Sequence, residues 1–257
     1  FADGIMREAE EKKISGLLKK LAQLKISARI KKKLFWPVHR KFGKNFRYFI
    51  IGGAPFSPEL EQFWDSLGFT VVQGYGLTEC APVLTCNTPI SRKPGSVGQT
   101  LPGVELKFSR DGEIYARGDN ITKGYYNDVA KTKKSFSNGW FKTGDIGFVD
   151  KEGYVFLKGR KKDMIVTSGG ENVYPEDIEQ VLLEDKNVKD ACVLGIPTRQ
   201  GEEVHAELIL KSKADIRRII EAANKRLNPS QQIMSYSLWP AVDFPRTTTL
   251  KIKKHLV

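Results

Sequence analysis

Cysteine, histidine and methionine are scarce in this 257-residue chain, at three of each. Cys80, Cys86 and Cys192 are odd in number and lack the paired spacing of a zinc site. They read as reduced, mostly structural thiols in a cytosolic setting. His39, His205 and His255 are scattered, which gives little support to a His-based catalytic constellation. No apolar run is long enough to cross a bilayer, and no stretch reads as a signal peptide. Internal repeats and low-complexity linkers are missing too. The chain opens on Phe1 and not on Met, so it is expected to be a piece of a longer protein.

What is present is ordinary globular material, with 40% hydrophobic and 28% charged residues, enough for one or two domains. The net charge of +12 is uneven, because residues 1–50 hold 14 Lys/Arg against 4 Asp/Glu and the remainder is nearly balanced. Residues 4–35 read as one or two amphipathic helices, with Leu17, Leu18, Leu21, Leu24 and Ile30 near helical spacing among lysines. Such a basic helix suits an anionic membrane surface or a nucleic acid. A solvated face packed on other parts of the protein is the favoured alternative.

Phe46–Ile51 reads as a buried strand stopped by Gly52-Gly53-Ala54-Pro55. Ser57 then serves as an N-cap, with Pro58 in the first helical turn. Thr70–Val72 is a short strand running into Gln73-Gly74-Tyr75-Gly76-Leu77-Thr78-Glu79. Strand, turn, helix, strand, turn is an α/β layout, with loops at strand ends where open sheets place ligands. From Gly95 to Leu157 the pattern turns to β, with hairpins about Asp111-Gly112 and about Asp150–Gly153. After Pro175 come a helix with Ile178, Val181 and Leu182 on one face, and strands at Val188–Ile196 and Val204–Leu210. A second helix about Ile216–Leu227 and a last strand at Leu238–Phe244 follow.

Several groups could carry chemistry. Glycines about Tyr75 would let backbone approach a flat ligand on which the ring stacks. Thr78 could bond a phosphate, and Glu79 offers a hard oxygen to Mg²⁺. Asp145, in Lys142-Thr143-Gly144-Asp145, has only acceptor sites and suits a ribose diol. Arg160 offers a rigid fork of donors, and Lys251 could neutralise charge that builds on a phosphate. Taken singly, each reads better as structure: a Gly turn, a turn-capping Asp, a surface ion pair, a solvated lysine. Gly159–Glu171 reads as a charged boundary between a glycine-rich and a glycine-poor region.

The order of the motifs changes those odds. Gly-Gly-Ala-Pro, Gly-Tyr-Gly-Leu-Thr-Glu, Lys-Thr-Gly-Asp, Gly-Arg-Lys-Lys-Asp, Ser-Gly-Gly-Glu-Asn-Val-Tyr-Pro and Pro-Arg-Thr-Thr-Thr-Leu-Lys-Ile follow one another between residues 46 and 254. In that order they closely resemble the adenylate-forming superfamily, and most of all the C-terminal half of AMP-forming long-chain fatty acyl-CoA synthetases. The resemblance implies that Gly53, Ala54, Gln73, Gly74 and Tyr75 line an adenine pocket. It implies that Thr78 contacts phosphate, Glu79 binds Mg²⁺, and Asp145 and Arg160 hold the ribose. Lys251 matches the lysine that stabilises adenylate formation, and Lys162 the hinge position. Gly169, Gly170 and Glu171 match the loop that turns toward the site for thioester formation.

Two departures stand out. Leu250 occupies a position that is commonly Gly in the family, while Thr247 and Thr249 fit the pattern. The family's Thr-Ser-Gly-Thr-Thr-Gly-x-Pro-Lys phosphate loop occurs nowhere in residues 1–257. The expected fold is therefore the remnant of a large α/β domain (1–94) with a small β-barrel-like subdomain (95–158). A mobile α+β C-terminal domain (159–257) follows, with its hinge near Lys162. The expected parent activity is ligation of a fatty acid to CoA through acyl-AMP, using ATP and Mg²⁺, with this chain inactive alone. Transfer to an acyl carrier protein is the nearest rival. A non-catalytic interaction module using the basic N-terminal helix is the rival of another class. The expected setting is cytoplasmic, with room for peripheral contact on the inner face of the membrane and no nucleic-acid partner.

Overall fold

The computed structural model describes residues 27–43, 45–53, 56–247 and 251–257. Most of the N-terminal amphipathic stretch, together with Ala54, Thr248, Thr249 and Leu250, lies outside the described residues. Contacts divide the chain into two compact units, one of residues 1–76 and 83–101, the other of residues 77–82 and 102–257.

In the first unit, helices α1 (Ala28–Leu34) and α2 (Trp36–Phe42) precede strand β1 (Tyr48–Ile51). Ser57 caps helix α3 (Pro58–Ser66) as the sequence predicts: its hydroxyl accepts the Leu60 N–H at 3.1 Å. β1 pairs in parallel with β2 (Thr70–Tyr75), and β2, β3 (Thr85–Cys86) and β4 (Gln99–Thr100) continue antiparallel. β2 is longer than its sequence suggests. Gly74 and Tyr75 find partners in Cys86 and Thr85, so pairing overrides the weak strand preference of glycine. The core is aromatic: the Phe42 ring lies 5.0 Å from Phe69, 5.2 Å from Phe46 and 5.3 Å from Phe49. His39 stacks on Phe69 at 3.9 Å and donates from Nε2 to the Leu67 carbonyl at 2.9 Å. Burial lowers its pKa, which favours the neutral ring that such a core demands.

The second unit opens its sheet with β5 (Val104–Phe108) and β6 (Glu113–Gly118), joined at Asp111-Gly112 as expected. Gly112 has φ +82, the left-handed region a tight turn requires. Helix α4 (Val129–Ser135) leads into β7 (Phe136–Ser137). The ten-residue β8 (Trp140–Val149) then pairs with β6, β7 and β9 (Val155–Arg160). The barrel-like subdomain is thus a five-stranded antiparallel sheet built about one long strand.

Beyond β9 come the short pair β10 (Ile165–Val166) and β11 (Asn172–Val173), then helix α5 (Pro175–Leu183). β12 (Val188–Thr198) and β13 (Gly201–Leu210) form a long hairpin. Helix α6 (Ile216–Asn224) is capped by Asp215, and β14 (Ser235–Leu238) pairs in parallel with β13. Ile178 and Leu182 of α5 and Ile219 and Ile220 of α6 pack on Ala206 and Leu208 of the sheet. The predicted last strand is displaced. Residues 239–244 are irregular, because Trp239 and Phe244 fold onto Cys192 and Ile209. Their apolar spacing serves that cluster and not sheet pairing. No helix among the described residues is long and apolar enough to cross a membrane.

Candidate functional site

In the first unit, Gly53 is exposed with φ +80. Gln73 is buried, and its amide donates to Glu61 Oε2 on α3 at 2.7 Å. Gly95 N–H reaches the same oxygen at 3.0 Å, so Glu61 ties helix, strand and loop together. A Cβ at Gly74 would lie 3.2 Å from the Thr85 carbonyl, a close approach to the backbone of β3. Tyr75 is buried at the end of β2, and its carbonyl accepts from Leu84 N–H at 2.8 Å.

In the second unit, Thr78 is exposed and opens a single 3₁₀ turn, Thr78–Cys80. The turn hangs from the segment after β6. Asn120 Nδ2 donates to the Cys80 carbonyl at 2.8 Å, Thr122 N–H to the Glu79 carbonyl at 2.8 Å, and the Tyr125 hydroxyl to Glu79 Oε1 at 2.8 Å. Burial and then the Glu79 carboxylate raise the Tyr125 pKa, so the phenol stays a donor. Tyr125 is a site neighbour that the motifs did not single out.

The described residues hold no cluster of three or more His, Cys, Asp or Glu able to bind a metal. A lone carboxylate still fits Mg²⁺, which keeps waters and takes one or two carboxylates alongside substrate phosphates. Glu79 would be that ligand, and the ion would supply charge neutralisation to a phosphate.

Asp145 and Arg160 face each other across the β8–β9 ladder. Asp145 is 7% exposed, and the guanidinium Nε lies 3.1 Å from its Oδ1. Asp145 N–H donates to the Thr143 hydroxyl at 3.1 Å, which in turn donates to the Ile114 carbonyl at 2.8 Å. Thr143 therefore shapes the turn of backbone that presents Asp145.

After Arg160 the chain makes the 3₁₀ turn Lys161–Asp163. Lys162 is exposed there. Its neighbour Lys161 bonds Asp111 at 2.7 Å and Glu113 at 2.9 Å, bracing the turn on the β5–β6 hairpin. The Lys161 ammonium holds the Asp111 carboxyl below the usual range. Gly169, Gly170 and Glu171 are exposed at the tip joining β10 and β11, where Thr167 N–H donates to the Glu171 carbonyl at 3.0 Å.

Next to the turn, a Cβ at Gly159 would lie 2.5 Å from Glu176 Oε2. That oxygen is buried and has no hydrogen-bond partner among the described residues. Burial, opposed by Lys254, pushes the Glu176 carboxyl up to about 7. Lys251 is exposed at the end of a loop closed by an Arg246–Ile252 bridge. The three cysteines are free thiols, and burial pushes Cys80 and Cys192 up to about 12, as befits structural residues.

A family model described as AMP-binding enzyme matches residues 6–126. Long-chain-fatty-acid–CoA ligase FadD13 of Mycobacterium tuberculosis is 36% identical over 227 residues, 82% of this chain and 44% of that protein. A 2-succinylbenzoate–CoA ligase of Listeria monocytogenes is 35% identical over 254 residues, 96% of this chain and 53% of that protein. Among solved structures, o-succinylbenzoate CoA synthetase (MenE) of Bacillus subtilis, in complex with the acyl-adenylate intermediate, superposes with a TM-score of 0.77. It is 30% identical and covers 87% of this chain and 49% of its own. The same enzyme with ATP and magnesium ion gives 0.75 at 26% identity, covering 99% and 54%.

The chain belongs to the adenylate-forming, AMP-binding superfamily. It spans about half the length of the curated relatives it matches.

Proposed function

We propose that the whole protein joins a carboxylic acid to CoA in two steps. The acid's carboxylate oxygen attacks the α-phosphorus of ATP, forming acyl-AMP as the bond to pyrophosphate breaks. The CoA thiolate then attacks the acyl carbon, and the bond to AMP breaks. The observation that carries this reading is the opposed pair of Asp145 and Arg160, a buried acceptor beside a half-exposed fork of donors. Such a pair suits a ribose diol. Glu79 holds Mg²⁺, Thr78 bonds phosphate, and Gly53, Ala54, Gln73, Gly74 and Tyr75 border the base. Lys251 offsets the charge that builds at the α-phosphate in the first step. Residues 159–257 turn about Lys162 relative to 1–94 and 95–158, bringing Gly169, Gly170 and Glu171 to the second step.

A long-chain fatty acid is the proposed substrate. Relatives named for 2-succinylbenzoate are as similar as those named for long-chain fatty acids, so an aromatic dicarboxylic acid is the second reading. ATP–pyrophosphate exchange by the whole protein against both acid classes separates them. Exchange driven by the aromatic acid alone overturns the first reading. Lys251→Ala is expected to suppress exchange at least a hundredfold while sparing thioester formation from pre-made acyl-AMP. Equal losses in both steps would remove Lys251 from its role.

A further inference from the structure

β12 is an edge strand: its sheet runs β12-β13-β14, so among the described residues one side of β12 has no strand partner. Exposed strand edges call for satisfaction of their polar groups. At Val193 this is done by two charged side chains. Val193 N–H donates to Glu179 Oε1 at 2.8 Å, and its carbonyl accepts from Lys254 Nζ at 3.2 Å. Lys254 Nζ also bonds Glu179 Oε1 at 2.8 Å, closing a ring between α5, β12 and the C-terminal segment. Both side chains are only 16% exposed. Burial works against the ammonium, and the Glu179 and Glu176 carboxylates outweigh it, so the Lys254 pKa lies above the usual lysine value.

This ring is one foot of the loop that carries Lys251. The other foot is Arg246, ion-paired to Asp190, also on β12. Between the feet, Thr247 N–H donates to the Lys251 carbonyl at 2.8 Å, and Lys251 N–H to the Thr247 hydroxyl at 3.1 Å. Lys253 N–H donates to the Pro245 carbonyl at 2.8 Å. Ile252 packs with Cys192, Ile209 and Phe244. The backbone of Lys251 is therefore fixed on both sides, three residues from a buried ammonium, while its own side chain stays exposed. Stability alone is a poor reason to keep such a pair, since well-packed apolar residues often serve a buried site as well or better. A fixed ammonium position is a better one.

We propose that Lys254 is a positioning residue for Lys251: with Glu179 it clamps the loop to the open edge of β12 and sets where the Lys251 ammonium is delivered. The proposal rests on the reading of Lys251 as the adenylate-forming lysine. Misplacing a catalytic group by about 1 Å can cost about a hundredfold in rate.

The test uses Lys254→Met and Lys254→Arg in the whole protein. Lys254→Met is expected to lower ATP–pyrophosphate exchange about a hundredfold, leave thioester formation from pre-made acyl-AMP within a few-fold, and be rescued by Lys254→Arg. In residues 1–257, amide hydrogen exchange at Thr247 and Lys251 should quicken in Lys254→Met while the β12–β13 ladder stays protected. If Lys254→Met does not fold, Glu179→Gln keeps the acceptor without the charge and is expected to lose the same half-reaction to a smaller degree. Unchanged exchange in a folded Lys254→Met or Glu179→Gln, beside a dead Lys251→Ala, overturns the clamp. So do equal losses in both half-reactions. An active Lys251→Ala overturns the underlying reading instead, and the two failures are told apart by that one variant.

Discussion

Glu176 is a buried carboxyl whose chemistry is out of balance. Its carboxyl is buried against Gly159, and Oε2 has no hydrogen-bond partner among the described residues. Lys254 faces it from the C-terminal segment, while Glu179 on its own helix and Asp163 on the 3₁₀ turn after β9 oppose its charge. The folded pKa of about 7 stands above the ordinary 4.5, so the folded state holds the proton longer than the unfolded chain does. The protonated folded form carries no penalty below about 4.5. The penalty grows as pH rises to about 7 and is constant above that, on the order of 3 kcal/mol. Glu176→Gln is therefore expected to gain stability relative to the parent between pH 5 and pH 8. Urea unfolding at the two pH values measures it, and a difference independent of pH would contradict the burial cost. Nothing in the sequence marks Glu176 out. A glutamate in the first turn of a helix reads as a favourable dipole partner, and only the packing of β9 on α5 makes it an orphan.

At the scale of elements, the loop from Lys93 to Gly98 holds β3 and β4 together through buried polar groups. Asn87 Nδ2 donates to the Ser96 carbonyl at 2.7 Å, the Thr85 hydroxyl to the Val97 carbonyl at 2.8 Å, and the Ser96 hydroxyl to the Lys93 carbonyl at 2.7 Å. Gly98 has φ +89, and a Cβ there would fall 1.9 Å from the Cys86 carbonyl carbon. Gly98→Ala should cost about 3 kcal/mol or more, read as a fall in thermal midpoint. A midpoint within a degree or two of the parent would mean the loop can open without loss. Which elements are legible in the sequence follows from how local their causes are. The Ser57 cap, Pro58, the Asp111-Gly112 turn and the helix at Pro175 depend on neighbours along the chain, and they stand where the pattern puts them. The extension of β2 and the shift of β14 depend on strands and clusters far along the chain, and propensity alone does not contain them.

For the molecule as a whole, the order of motifs was the legible part and their support was not. Asp145 and Arg160 are 15 positions apart, and the register of β8 on β9 makes them opposite. Tyr125 bonded to Glu79 and Lys254 three residues from Lys251 carry no motif of their own, since lysine and tyrosine are common on any surface, and Lys161 sits within Gly-Arg-Lys-Lys-Asp without the motif revealing its contacts to Asp111 and Glu113. The chain lacks the family's phosphate-loop motif. Residues 1–257 alone are accordingly expected to form no acyl-CoA from fatty acid, ATP and CoA. Thioester product at a rate comparable with the whole protein would refute this, and a coupled assay for AMP release measures it.

The contact between Gly159 and Glu176 also bears on how such a chain can change over time. A side chain at 159 enters only if the Glu176 carboxylate swings aside, whereas a shorter residue at 176 is admissible with glycine still in place. Change at the two positions is therefore coupled: a side chain at 159 displaces the carboxylate at 176, while shortening 176 asks nothing of Gly159.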